Sequence, residues 1–172
     1  MRTFVLVIMM LFACATQANN EGRGKLTMSG QIIASACAIS TDDIWQEIDF
    51  GTVPLRDLTN NKSLSKRFSI HLINCTFEKE KGGKWKSVNI TFDGPSEASD
   101  PAIFSMSGEG TGVGLTIADE QGNKAIAGKS LPDVLLNANN TDLNFTLNLV
   151  RNGETLSTGD VSSFLRFMVA YQ

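Results

Sequence analysis

One histidine, His71, and three cysteines are all that this chain of 172 residues offers to the chemistries that depend on them. A histidine-rich metal site or a Ser-His-Asp triad has almost no material to be built from. Positive charge is not in excess either: 15 Lys and Arg stand against 18 Asp and Glu, a formal net charge of -3, and no long basic run occurs. Nucleic acid and other polyanions, which need a basic face, are therefore not expected partners. Also missing, from Lys25 onward, is any segment of a dozen residues with a clean helical period of apolar positions. That argues against helical and βαβ architectures. There is no internal repeat and no low-complexity linker. What is present is 42% hydrophobic and 19% charged residues, the composition of one ordinary globular domain long enough to bury a core.

The first segment stands apart. Arg2 is followed by an apolar run from Phe4 to Phe12 and by small residues before the polar Asn19-Asn20, the layout of a secretory signal peptide over residues 1–18. The run is too short to span a bilayer. Cleavage after Ala18 fits the abrupt turn to polarity, with Ala15 as the alternative. A lipoprotein reading would put lipid on Cys14, but the bulky Phe12 fits that pattern poorly. Removing residues 1–18 leaves 14 basic against 18 acidic residues and two cysteines, Cys37 and Cys75. An isolated pair in an exported chain makes one disulfide in the simplest case; two buried free thiols are the alternative. Closing a loop of about 38 residues is worth roughly 4 kcal/mol in the chain-entropy model.

The rest reads as short strands, and the expected class is all-β. Leu26, Met28, Gly30 and Ile32 alternate with polar residues, as do Phe68, Ile70 and Leu72 ahead of Cys75. Further strands are expected over 88–92, 113–117, 143–149 and 164–171, separated by turn clusters such as Lys81-Gly82-Gly83, Asp93-Gly94-Pro95 and Arg151-Asn152-Gly153. Asn152-Gly153 is a hairpin signal, which predicts pairing of 143–149 with a segment around Thr155-Leu156. Strands of this length and spacing suggest a sandwich.

Two segments carry the unusual information. The last strand places Leu165, Phe167, Val169 and Tyr171 on one face, and in this sequence nothing follows Gln172 to pair with it. An uncovered apolar edge is a hazard for a secreted protein, so a strand is expected from elsewhere. Residues 19–33, with their strict alternation from Leu26 to Ile32, offer one.

The segment from Leu26 to Cys37 resembles the donor extension and first strand of chaperone-usher pilins, the subunits of type 1 and P pili. Asp49-Phe50-Gly51, Phe68 to Cys75, Gly112 to Ile117 with Gly122 following, Gly159, and the terminal Tyr171-Gln172 agree with that family across nearly the whole mature chain. The resemblance implies an immunoglobulin-like sandwich over 34–172 that lacks its C-terminal strand and is completed by donor-strand complementation. It also implies a periplasmic chaperone, an outer-membrane usher and neighbouring pilins as partners, and export through the periplasm to a cell-surface pilus. Leu26, Met28, Gly30 and Ile32 become the donor strand, with Gly30 letting the backbones pass closely. Leu165, Phe167, Val169, Tyr171 and Gly159 become the acceptor groove and chaperone contact. The subunit is expected in a minor or adaptor position, with a pilus terminator, or a complete monomeric binding module, as alternatives.

Sites of catalysis or cofactor binding are not expected. Gly108 to Gly114 imitates a phosphate loop, but no helix pattern follows, so a flexible turn into a strand is expected. Gly128-Lys129-Ser130 lacks the upstream glycine of a P-loop, since position 123 is Asn123. His71 lies out of phase with Phe68, Ile70 and Leu72 and should face away from the core. Asp42, Asp43, Glu47 and Asp49 lack the spacing of a calcium loop and read as a solvated connection.

Overall fold

The computed structural model describes residues 36–60, 64–79, 81–136 and 141–172. The expected signal segment, residues 1–18, and the expected extension with Leu26, Met28, Gly30 and Ile32 lie outside the described residues. Within them the chain runs β1 (Ala38–Ile39), α1 (Thr41–Ile44), α2 (Leu55–Thr59), β2 (Leu64–Ile73), β3 (Ser87–Asp93), β4 (Phe104–Ser105), β5 (Ser107–Gly108), β6 (Val113–Asp119), β7 (Val134–Leu135), β8 (Asp142–Arg151), β9 (Val161–Ser162) and β10 (Arg166–Tyr171). The two helices are single turns in the connection between β1 and β2.

Period-two alternation decides which way each strand faces. In β8 the side chains of Leu143, Phe145, Leu147 and Leu149 are all buried, whereas the residues between them are not. Antiparallel pairing brings Phe68 of β2 opposite Phe145 and Ile70 opposite Leu143. On the other edge of β8, Leu115 and Ile117 of β6 face Leu149 and Leu147. The result is a five-stranded sheet in the order β1-β2-β8-β6-β4, with a three-stranded sheet β10-β3-β7 and a ribbon β5-β9. Val88, Ile90 and Phe92 of β3 are buried and supply the second sheet's share of the core.

Aromatic rings join the two layers. Phe92 meets Phe145 edge-on at a centroid distance of 5.1 Å and Phe68 at 6.1 Å, and Phe68 lies 5.4 Å from Phe145. Such pairs add about 0.5–1.5 kcal/mol beyond the area they bury. Cys37 and Cys75 form a disulfide that ties the entry to β1 to the exit from β2, which removes the free-thiol alternative.

Four expectations are corrected. Residues 143–149 do not pair with Thr155-Leu156, because both edges of β8 are already taken by β2 and β6. The chain turns at Gly153 and crosses instead to the glycine-rich loop: Ser157 bridges Thr111, and the Thr111 hydroxyl donates to the Thr155 carbonyl at 2.8 Å. That loop is accordingly no flexible turn, since Ser107 and Gly108 pair with Ser162 and Val161 before the chain enters β6. The last strand begins at Arg166 and not at Phe164, which is left 65% exposed.

The fourth correction concerns the acidic stretch. Asp43 is not solvated but 6% exposed, and it takes hydrogen bonds from the backbone N–H and lies within bonding distance of the ring of His71. His71 does face away from the core, as its phase predicts, because Ile70 and Leu72 on either side are buried.

Candidate functional site

Among the described residues, one edge of β10 is left open. One edge of this strand pairs with β3 through six consecutive positions, from Arg166 opposite Asp93 to Tyr171 opposite Val88. Among the described residues no strand pairs with its other edge. An unpaired edge presents a row of backbone N–H and C=O groups, a template for one more strand.

Alternation sets what lies beside that template. Leu165, Phe167, Val169 and Tyr171 turn inward and pack, half-buried, against the core. Phe167 sits 6.4 Å from Phe92, while Met168 between the inward positions is 63% exposed. Half-burial is what an apolar row shows when one of its flanks is uncovered, in contrast to the fully buried row of Val88, Ile90 and Phe92 next door.

Opposite this edge runs the chain from Cys37 to Trp45, which includes β1 at the border of the larger sheet. Two contacts link the borders. The Tyr171 hydroxyl donates to the Cys37 carbonyl at 3.0 Å, and the Trp45 ring lies 6.3 Å from that of Phe164. The two borders therefore run in opposite directions, and the gap between them extends from Tyr171 to Phe164. Burial pushes the Tyr171 hydroxyl above its ordinary pKa, an effect partly offset by the bond to Cys37. Trp85 packs edge-on against Tyr171 at 6.1 Å with the Lys79 ammonium 4.2 Å from its centre, at this end of the gap. Trp45 and Phe164 are 78% and 65% exposed and form the other end.

Gly159 lies elsewhere, at the crossing of the glycine-rich loop. Its φ is +149°, and a Cβ there would run into the backbone N of Gly110 and lie 2.6 Å from the Glu109 carbonyl carbon. Only glycine lets these two backbones pass. It shapes the approach to β9 and β10 from outside the gap. The extension residues Leu26, Met28, Gly30 and Ile32 lie outside the described residues.

Sequence reasoning missed Trp45, Trp85 and Phe164. The signal for Trp45 was available: a bulky aromatic inside an acidic, polar stretch has no core position to fill. Among the described residues no three His, Cys, Asp or Glu side chains cluster so as to hold a metal ion. The arrangement can bind an extended backbone, with an apolar row to receive alternate side chains.

Comparison with known proteins agrees with this geometry. Residues 26–172 match the family model described as fimbrial protein. The chain is 40% identical over 152 residues to a PRS fimbrial minor pilin protein of Escherichia coli, covering 87% of this chain and 77% of that one. It is 30% identical over 173 residues to the fimbria A protein of Serratia marcescens, covering 98% and 97%. The crystal structure of the P pilus rod subunit PapA superposes with a TM-score of 0.71 at 23% identity, over 80% of this chain and all of that one, which shows the immunoglobulin-like fold. The chain belongs to the fimbrial protein family and is a pilin, a structural and non-enzymatic subunit of chaperone-usher fimbriae at the bacterial cell surface.

Proposed function

We propose that the gap beside β10 is an acceptor groove and that this pilin polymerises by donor-strand exchange. A periplasmic chaperone holds the groove first, and at an outer-membrane usher a neighbour's extension replaces it. The chain's own Leu26, Met28, Gly30 and Ile32 then enter the groove of another subunit. One observation carries this reading: β10 pairs along a single edge among the described residues while its inward row of Leu165, Phe167, Val169 and Tyr171 stays half-buried. A minor or adaptor position is supported by the likeness to a protein named a minor pilin. Export depends on residues 1–18 as a signal peptide.

The magnitudes are adequate. Three large donor side chains, Leu26, Met28 and Ile32, contribute about 1.5–3 kcal/mol each on burial. Each ladder hydrogen bond adds about 0.5–1.5 kcal/mol, against about 1–2 kcal/mol of backbone entropy per residue ordered. Apolar burial and the hydrogen-bond ladder are both needed for a net gain.

The test is thermal unfolding of residues 34–172 with and without residues 19–33 fused behind Gln172 through a flexible linker. The expected result is a monomer that melts tens of degrees higher when fused, about what several kcal/mol produces in a domain of this size. An unchanged melting temperature would mean that the sandwich is complete without a partner strand, as in a monomeric binding module.

A further inference from the structure

A polar cluster lies on the side of β2 that faces away from the core. Its centre is His71, the chain's single histidine, whose side chain is 50% exposed beside an Asp43 side chain that is 8% exposed. Asp43 Oδ2 accepts from the His71 backbone N–H at 2.6 Å and lies 2.8 Å from His71 Nδ1. Asp43 Oδ1 accepts from Gln46 Nε2 at 3.0 Å, and the same amide donates to the Ser69 carbonyl at 2.6 Å. The Ser40 N–H donates to the His71 carbonyl at 2.9 Å. Apart from these bonds the segment is poorly anchored: α1 is one turn long, and Ile44 and Trp45 are 52% and 78% exposed.

We infer that His71 and Asp43 form an acid-tightened clasp that fastens residues 40–46 to β2 and so governs how firmly Trp45 is held at one end of the gap beside β10. The clasp stands whether or not that gap takes a donor strand. A neutral imidazole with its proton on Nδ1 gives the Asp43 carboxylate one hydrogen bond, assisted by the charge of the acceptor alone. A protonated imidazole turns the same bond into an ion pair, adding the attraction of two opposite charges 2.8 Å apart. Because Asp43 is buried and its partner exposed, protons reach the histidine from solvent without any opening of the core.

The surrounding charges favour protonation. Asp142 lies opposite His71 across the β2–β8 ladder, and Asp42, Glu47 and Asp49 line the same shallow depression together with Lys66 and Arg67. The His71 pKa is raised above 6.5, chiefly by the hydrogen bond to Asp43, then by the charge of Asp43; desolvation opposes this, and Asp142 adds to it. A histidine favoured as the cation in the fold contributes stability that is whole below its unfolded pKa and lost as pH rises through the folded value. The clasp therefore loosens on passing from mildly acidic to alkaline medium, the opposite of a buried neutral histidine.

Hydrogen exchange of the exported chain at about pH 5.5 and about pH 8.5, on either side of histidine's ordinary range, tests this. After correction for intrinsic rates, the Ser40 and His71 amides should exchange several-fold more slowly in acid, relative to the Leu147 amide in the middle of β8. The difference should vanish in His71→Gln, which keeps a neutral donor. A flat ratio in the wild type, or an unchanged slope in His71→Gln, would overturn the clasp. Should His71→Gln fail to fold, the wild-type proton NMR signal of the single imidazole decides: a midpoint above the ordinary value is expected, and one at or below it overturns the inference.

Discussion

The Tyr171 hydroxyl donates to the carbonyl oxygen of Cys37 at 3.0 Å and so ties the last strand of one sheet to the disulfide-bearing border of the other. The bond crosses the gap beside β10 at its Tyr171 end. Tyr171→Phe removes the donor and leaves the ring packed on Trp85. A cost of about 0.5–1.5 kcal/mol is expected, read as a lower urea midpoint with an unchanged slope. Equal midpoints would show that water replaces the hydroxyl without loss. Because burial raises the Tyr171 pKa, the neutral hydroxyl's contribution should be whole below pH 10 and fall as pH rises through the folded value.

Breaking the Cys37–Cys75 bond should cost more. The chain-entropy model gives roughly 4 kcal/mol for this loop, so Cys37→Ser should show a large drop in unfolding midpoint and a reduced periplasmic yield. Thiol titration of the unfolded wild-type chain after export should find no reactive Cys37 or Cys75. An unchanged midpoint would mean that β1 is held by its ladder to β2 and by Tyr171 alone.

Gly159 and Gly122 make a controlled pair. Both have positive φ, +149° and +85°, but a Cβ on Gly122 would meet nothing within 4 Å whereas one on Gly159 would strike the backbone of Gly110 and Glu109. Alanine at 122 should cost only the conformational strain, of order 1 kcal/mol. At 159 it should cost clearly more and raise hydrogen exchange in the crossing from Gly108 to Thr111. Equal costs would show that the crossing yields easily.

How much of this was legible follows from the distances in sequence over which each feature is built. The inward rows of β2, β3, β8 and β10 could be read because their inward positions, Lys66 of β2 apart, are apolar at period two, a pattern complete within one strand. The course of residues 155–157 could not: Asn152-Gly153 announces a reversal, but only the sheet order reveals that β8 has no free edge to receive it. Asp43 reads as solvated because its partner, His71, lies 28 residues away. The edge of β10 that no strand pairs among the described residues was legible in part, from the alternation that ends at Tyr171, whereas the facing border from Cys37 to Trp45 was not.

The proposed donor and acceptor roles are separable by mutation, because the proposal puts them on different segments. Deleting residues 19–32 removes Leu26, Met28, Gly30 and Ile32 and leaves β10 untouched. The expected outcome is normal co-purification with the periplasmic chaperone and no joining onto a following subunit. Phe167→Ala acts on the other role. A fully buried Phe loses about 3–5 kcal/mol on truncation, and a half-buried one somewhat less. This change should lower the melting temperature and weaken chaperone capture while the intact extension still enters a neighbour's groove. If the deletion abolishes chaperone capture as well, the extension belongs to the fold it precedes, and the division into a segment that gives and an edge that receives is wrong. If Phe167→Ala leaves capture at wild-type affinity, the inward row of β10 does not line the groove, and the chaperone must bind elsewhere.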